Sequence, residues 1–278
     1  MTVETERREK MSFSIEILKK SSGGFRCALF DFDGTVSLIR EGWQEVMIPY
    51  FCEVLSEAAK NESADAVYME VKEFVDRLTG KQTIYQCMAL ADSVRRRNKT
   101  PLSPGDYKAE YLRRLELKTA DRKQALQTGA AAAADFSVSG ALSFVRELRK
   151  RSVRCFLASG TDEPDVKKEA KLLGIADAFD GGIYGAKDAL TDCSKESVIK
   201  RLLNEEAIEP QSLLGFGDGF VEIQLIHDVG GYAVGVAADE KRGAGIDENK
   251  RTRLIGAGVG MIIPDFSDNG AILAALGI

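Results

Sequence analysis

The stretch FRCALFDFDGTVSL, residues 25–38, decides how the rest of the chain is read. Its apolar run from Cys27 to Phe30 has the length and residue types of a buried strand, and it ends in two carboxylates, Asp31 and Asp33, separated by Phe32. Side chains alternate along a strand, so Asp31 and Asp33 are expected to point the same way at its carboxyl end, with Gly34 turning the chain just beyond. Two like charges that close are unfavourable unless a positive group sits between them. Turn chemistry alone explains Asp and Gly at such a place. A nucleophile and an acid/base gathered around a metal explain them too, and the remaining strand ends discriminate.

A chain of 278 residues accommodates one large domain or two modest ones with an ample core. No apolar run approaches the ~20 residues a bilayer requires, so no membrane partner is expected. Residues 1–24 begin MTVETERREK, with charges of both signs, unlike a signal or transit peptide. They are read as a polar leader on a cytoplasmic protein, with Ser21-Ser22-Gly23-Gly24 as a joint. Cys27, Cys52, Cys87, Cys155 and Cys193 form no CxxC pair and are odd in number, which suggests reduced thiols; Cys27 and Cys155 lie in apolar runs and read as core. With 38 basic and 43 acidic residues the net charge is -5, which gives no footprint for a nucleic-acid partner. The one basic run, Arg95 to Arg97 with Lys99, reads as a solvated helix end. A single histidine, His227, excludes sites built on several imidazoles. Composition carries no signal for oligomeric state.

After the first strand come helical stripes. Trp43, Val46, Met47, Tyr50, Phe51, Val54, Leu55 and Ala58 make one, with Pro49 inside it. Val67, Val71, Phe74, Val75 and Leu78 make a second, and Ile84, Cys87, Met88, Ala91 and Val94 a third. Ser103-Pro104 reads as an N-cap with proline at the first helical position, opening a fourth helix through Tyr111, Leu112 and Leu115. From about residue 138 the pattern alternates. Helices at 139–150, 163–173 and 195–206 precede apolar runs at 153–160, 181–186 and 212–219, and two more strands follow at 231–239 and 259–265. Such alternation means right-handed βαβ units and a parallel sheet covered on both faces. The fold class is therefore α/β, a Rossmann-like three-layer core made of residues 25–39 and 131–278, with residues 40–130 inserted as an α-helical cap.

Ligands of such sheets bind beyond the carboxyl ends of the strands. Those ends offer Asp31 and Asp33, then Ser159-Gly160-Thr161, then Lys187 or Lys195 before the next helix, then Asp218-Gly219 with Glu222 close behind. Carboxylates, a hydroxyl beside a free backbone N–H, and an ammonium suit a phosphoryl group with Mg²⁺, the carboxylates holding the ion and the others the phosphate oxygens.

In this order the motifs resemble those of the haloacid dehalogenase superfamily, most closely its helical-capped branch of phosphoglycolate phosphatases and β-phosphoglucomutases. DFDGT resembles the family's DxDGT, which implies Asp31 as nucleophile and Asp33 as acid/base; LASGT implies Ser159 and Gly160 as phosphate-binding groups; GFGDGFVE implies Asp218 and Glu222 as metal residues beside Asp31 and the backbone carbonyl of Asp33. The family's lysine is often followed by proline, and neither Lys187-Asp188 nor Lys195-Glu196 has that form. Lys195, 23 residues before Asp218, leaves room for one helix and one strand and is preferred, with Lys187 the alternative. Glu222 stands where aspartate is commoner. The resemblance implies a Mg²⁺-dependent phosphatase acting on a small phosphorylated metabolite, a sugar phosphate or a phosphoglycolate-like ester, through an aspartyl phosphate.

Asp33 argues against carbon–halogen and carbon–phosphorus cleavage, because family members with those activities typically lack an acid there. A phosphomutase keeps the same residues and is the main enzymatic alternative; a non-catalytic sugar-phosphate-binding module predicts the loss of a catalytic group, and none is lost. Cys155 is followed six residues on by Thr161 rather than arginine, and Gly80-Lys81 by Gln82 rather than Ser or Thr, so neither a cysteine phosphatase nor a P-loop is present at those positions. Substrate-facing candidates in the cap are Lys81 and Gln82 of LTGKQT, residues 78–83, and Arg40 where the chain enters the cap.

Overall fold

The computed structural model describes residues 15–58, 60–187, 195–205, 208–240, 242 and 245–278. Four helices follow the first long strand: α1 (Gln44–Ala58), α2 (Ala64–Arg77), α3 (Thr83–Arg96) and α4 (Pro104–Thr128). Their apolar stripes close on one another in a core of their own, with Phe51, Leu55, Val71, Phe74, Leu90 and Leu115 at its centre. Ser63 and Ser103 cap α2 and α4 by accepting the N–H groups of Ala66 and Asp106, and Gly129 ends α4 in the left-handed region. Met88, expected inward, is exposed; the buried face of α3 instead carries Gln86 beside Cys87 and Leu90.

Seven strands form the sheet: β1 (Glu16–Ile17), β2 (Cys27–Phe30), β3 (Arg154–Asp162), β4 (Gly182–Ala186), β5 (Leu213–Gly217), β6 (Tyr232–Val236) and β7 (Met261–Ile263), in spatial order β1-β7-β6-β5-β2-β3-β4. Neighbours run parallel throughout, save that β1 is antiparallel to β7, with Glu16 opposite Ile262. The expected leader therefore contributes an edge strand. Arg251 holds Glu16 through two hydrogen bonds of 2.7 Å, and Tyr232 donates to the carbonyl of Lys19. Two residues are too few to show a period in sequence. Residues 1–14 of that leader, Cys193 and the expected helix end at residue 206 lie outside the described residues.

Helices α5 (Ala141–Lys150), α6 (Glu163–Leu172), α7 (Lys195–Glu205), α8 (Phe220–Asp228), α9 (Glu248–Gly256) and α10 (Asn269–Leu276) cover both faces. Alternation along the strands sorts the two layers. Ala28, Phe30, Leu214, Phe216 and Val234 pack under α5, α6 and α10, while Cys27, Leu29, Phe156, Leu213 and Ala233 pack under α7, α8 and α9. In the first layer the rings of Phe30 and Phe216 stack with centres 4.5 Å apart, and Phe144 and Phe266 close around them. Cys27, Cys87 and Cys155 are buried and lie outside any disulfide, and burial pushes the last two up to about 12. No helix among the described residues is long and apolar enough to cross a membrane.

The helical unit is tied down over the carboxyl ends of β2 and β3. Arg122 of α4 donates to the carbonyls of Ile39 and Glu41 at 3.0 and 2.9 Å, clamping the chain where it leaves the sheet. Lys108 of α4 pairs with Asp162 at 2.5 Å. The turn between α2 and α3 comes so near that a Cβ on Gly160 would lie 2.7 Å from the carbonyl oxygen of Lys81. Gly160→Ala is therefore expected to push that turn away, speeding amide hydrogen exchange at residues 79–83 while leaving the sheet protected. Unchanged exchange in that turn would contradict the close approach.

Candidate active site

The end of β2 delivers Asp31, the start of α7 delivers Lys195, and the turn from β5 into α8 delivers Asp218 and Glu222. Lys195 Nζ lies 2.8 Å from Asp31 Oδ1 and 2.8 Å from Glu222 Oε2, with all three side chains nearly out of solvent. The other oxygen of Glu222 accepts the N–H of Gly219 at 2.6 Å. Gly217 and Gly219 make this arrangement possible, since a Cβ on either would meet the Glu222 side chain at 2.1 or 2.7 Å. Burial raises the Asp31 carboxyl well above the ordinary range against the opposing pull of Lys195, and Glu222 and Asp218 push it the same way as burial. Burial disfavours the Lys195 charge, but Asp31 and Glu222 outweigh it and hold the ammonium above its ordinary value.

Asp31, Asp218 and Glu222 each offer an oxygen within 4.8 Å of the others. Three carboxylates less one ammonium leave two negative charges around a set of hard oxygens, which fits a divalent hard cation such as Mg²⁺. Asp218 is held from outside this group as well. Lys250 of α9 donates to its Oδ2 at 2.9 Å and also pairs with Glu240.

Asp33 faces different partners. Its Oδ2 accepts from Thr161 Oγ1 at 2.9 Å and Ser159 Oγ at 3.2 Å, and Ser159 Oγ itself accepts the N–H of Thr161. Its Oδ1 is shut off from solvent and has no hydrogen-bond partner among the described residues. Burial raises the Asp33 carboxyl and Arg40 opposes that shift. β2 has already ended at Phe30, so the expected common direction of the two carboxylates is replaced by a divergence. Asp31 turns to an ammonium and Asp33 to two hydroxyls near a guanidinium, which is how both remain on one short turn. Both line a single cavity of about 100 Å³ between the sheet edge and the cap.

Ser159, Gly160, Lys195 and Asp218 also line that cavity. Lys187 does not: its side chain is 53 % exposed and lies 3.7 Å from Glu163, so Lys195 is the lysine at the carboxylates. From the cap, Lys81 reaches the cavity but is exposed, and Gln82 is buried without lining it. Gln86, one helical turn later, lines it in its place. Arg40 lines it while its other edge grips Glu169 of α6. Thr161, Lys250, Gln86 and Tyr111 were given no site role from sequence. Thr161 is the last residue of LASGT, and a glutamine on the buried face of α3 is the visible signal for Gln86; Lys250 stands in a polar run that marks nothing.

The haloacid dehalogenase-like hydrolase family model matches residues 25–230. No curated protein matches the sequence. Among solved structures, the chain is similar to a predicted phosphoglycolate phosphatase from Haemophilus somnus (15 % identity, TM-score 0.56, covering 91 % of this chain and 99 % of that one). It is similar also to β-phosphoglucomutase from Clostridium difficile (14 %, 0.56, 91 % and 97 %) and to CbbY from Rhodobacter sphaeroides in complex with phosphate (17 %, 0.57, 91 % and 100 %). At these identities the structures speak for the fold. The family match spans most of the chain, from before Asp31 to beyond Glu222, and the chain belongs to the haloacid dehalogenase-like hydrolases.

Proposed function

We propose that this protein is a Mg²⁺-dependent phosphatase of small phosphate monoesters that works through phosphorylated Asp31. The observation that carries this reading is the buried Lys195 ammonium joining Asp31 to Glu222 beside Asp218, with Asp33 held apart on Ser159 and Thr161. Asp31, Asp218, Glu222 and the backbone carbonyl of Asp33 would hold Mg²⁺, Glu222 also anchoring Lys195. The ion supplies charge neutralisation for a phosphate dianion near a carboxylate, a repulsion of roughly 4 kcal/mol per pair of unit charges at 4 Å and an effective dielectric near 20.

Asp31 attacks phosphorus, the bond from phosphorus to the ester oxygen breaks, and Asp33 gives its proton to the departing alkoxide. Lys195, the Ser159 hydroxyl and the Gly160 N–H orient the phosphoryl oxygens. Asp33, now ionised, takes a proton from water, whose oxygen attacks the same phosphorus; the acyl phosphate P–O bond breaks, releasing inorganic phosphate and restoring both aspartates. The separate apolar cores support taking residues 25–39 and 131–278 as the catalytic domain and 40–130 as its cap, which selects the leaving group. Lys81 is retained as a rim residue for substrate, and the cytoplasm as the compartment, in keeping with the buried thiols outside any disulfide. Solved neighbours holding phosphate or xylulose-1,5-bisphosphate support a small phosphorylated substrate.

Purified protein is expected to hydrolyse p-nitrophenyl phosphate and at least one small phosphate ester, to stop in EDTA and to recover with Mg²⁺; inorganic phosphate as product separates hydrolysis from a mutase. Asp31→Asn should abolish this turnover.

Leaving-group dependence tests Asp33. Because burial raises its carboxyl, the proton persists to higher pH than on an ordinary aspartate. Rapid-quench rates of phosphoenzyme formation from an alkyl ester should fall as pH rises through the raised value. The p-nitrophenolate leaving group requires no proton, so that limb should vanish with p-nitrophenyl phosphate. The same limb with both substrates would assign it to another group.

Lys195→Ala is expected to lower kcat at least about a hundredfold, as for loss of a preorganised charge opposite the transition state. Lys187→Ala, on the surface, should be nearly silent. Steady-state kinetics reporting the reverse ranking would move the phosphate-binding lysine.

A further inference from the structure

We propose that Lys250, itself held by Glu240, is a positioning residue for Asp218. It occupies one oxygen of that carboxylate, so that Asp218 meets a divalent ion through the other oxygen alone, and the site thereby takes Mg²⁺ in preference to Ca²⁺. The inference rests on the Mg²⁺ reading above and deepens it.

Asp218 is confined by Lys250, Thr35 and Gly34. Lys250 Nζ donates to its Oδ2 at 2.9 Å, while Thr35 Oγ1 reaches its Oδ1 only at 3.5 Å. The backbone of Gly34 packs so near that a Cβ there would lie 2.3 Å from Oδ2. Oδ2 is therefore committed, and Oδ1 keeps no short hydrogen bond among the described residues. Lys250 works from a rigid mount. It stands in the first turn of α9, where Asp247 Oδ1 accepts the N–H groups of Asn249 and Lys250 at 2.8 and 3.0 Å. The N–H of Asp247 donates in turn to the carbonyl of Ala237 just past β6, and Leu254 buries the apolar face of the helix. These contacts fix α9 without the Lys250 side chain, which is 13 % exposed and joins Asp218 to Glu240. The ion pair is thus free to serve Asp218.

Charge separates this role from simple attraction of a cation. Lys250 and Glu240 carry formal charges that sum to zero, so the two net negative charges on Asp31, Asp218, Glu222 and Lys195 stand with or without them. What the pair adds is direction: an ammonium shared between two carboxylates pins Asp218 by one edge, as outer partners of metal ligands do. That restraint discriminates between ions. Ca²⁺ takes about six to eight oxygens in a flexible shell and readily uses both oxygens of a carboxylate, whereas Mg²⁺ demands a near-octahedral set that the narrow bite of a two-oxygen carboxylate does not suit. An Asp218 engaged at Oδ2 serves Mg²⁺ and denies Ca²⁺ a ligand.

The test titrates the metal-free, full-length protein calorimetrically with MgCl₂ and with CaCl₂, with no substrate present. Lys250→Met with Glu240→Gln removes the pair and keeps the net charge. In this double variant the ratio of Ca²⁺ affinity to Mg²⁺ affinity should rise about tenfold over wild type, within the range that outer partners of metal ligands control. A general loss of structure weakens both ions alike, so the ratio reports positioning. An unchanged ratio overturns the inference and leaves the Mg²⁺ reading standing; wild-type protein that binds neither ion overturns both. If the double variant does not fold, crystals of the wild-type protein grown with Mg²⁺ decide. Lys250 on one oxygen of Asp218 and the ion on the other upholds the inference, and Lys250 withdrawn from Asp218, or the ion on both oxygens, overturns it.

Discussion

The ammonium of Lys195 between Asp31 and Glu222 is the contact on which the site depends. A parallel sheet brings its strand ends to one edge, and here three of the groups delivered there are carboxylates within 4.8 Å of one another. Left alone, they would repel in a place water hardly reaches, and breaking such a buried arrangement by removing one partner is costly. Lys195 offsets one charge of three. The two that remain fit a divalent hard cation.

Asp31 and Asp33, two residues apart, sit in different surroundings. Asp31 faces a fixed ammonium that pulls toward its ionised form, while burial and the neighbouring carboxylates hold it well above the ordinary range. Asp33 accepts two hydroxyl hydrogen bonds on one oxygen and keeps the other, Oδ1, unpartnered and dry. Burial without a direct ion pair favours the proton on that carboxyl. Distinct environments act on two chemically identical groups, and Thr161, through one 2.9 Å bond, contributes to that difference.

Much of this was legible in the sequence, and for a physical reason: strand, turn and helix have different periods, and the motifs sit where one gives way to another. Asp31, Ser159 and Asp218 were placed by the apolar runs before them, and Lys195 by the length needed for one helix and one strand. What escaped notice depends on contacts across the chain. Arg40 finds Glu169 at a separation of 129 residues, and no local pattern in either segment announces the pair. Lys250 reaches Asp218 from α9, a helix whose polar composition hides its one inward-facing cation. The strand β1 is two residues long, and its pairing partner lies at the other end of the chain.

The cap and the core divide the labour by how each is held. Reacting groups sit on strand ends and helix starts, where backbone pairing on both sides limits their movement. The cap side of the cavity is instead built from helix faces of a separately packed unit, attached through Arg122, Lys108 and the turn at Gly80. Gly80 has φ +88 and brings that turn to within a few ångströms of Glu222. Side chains on α3 and α4 can therefore change without disturbing the sheet, whereas a Cβ at Gly80 or Gly160 changes the fit between the two units directly and one at Gly217 displaces Glu222 within the core. Selectivity is free to vary where packing is local to the cap, and the chemistry is fixed where cap, strand end and carboxylates meet.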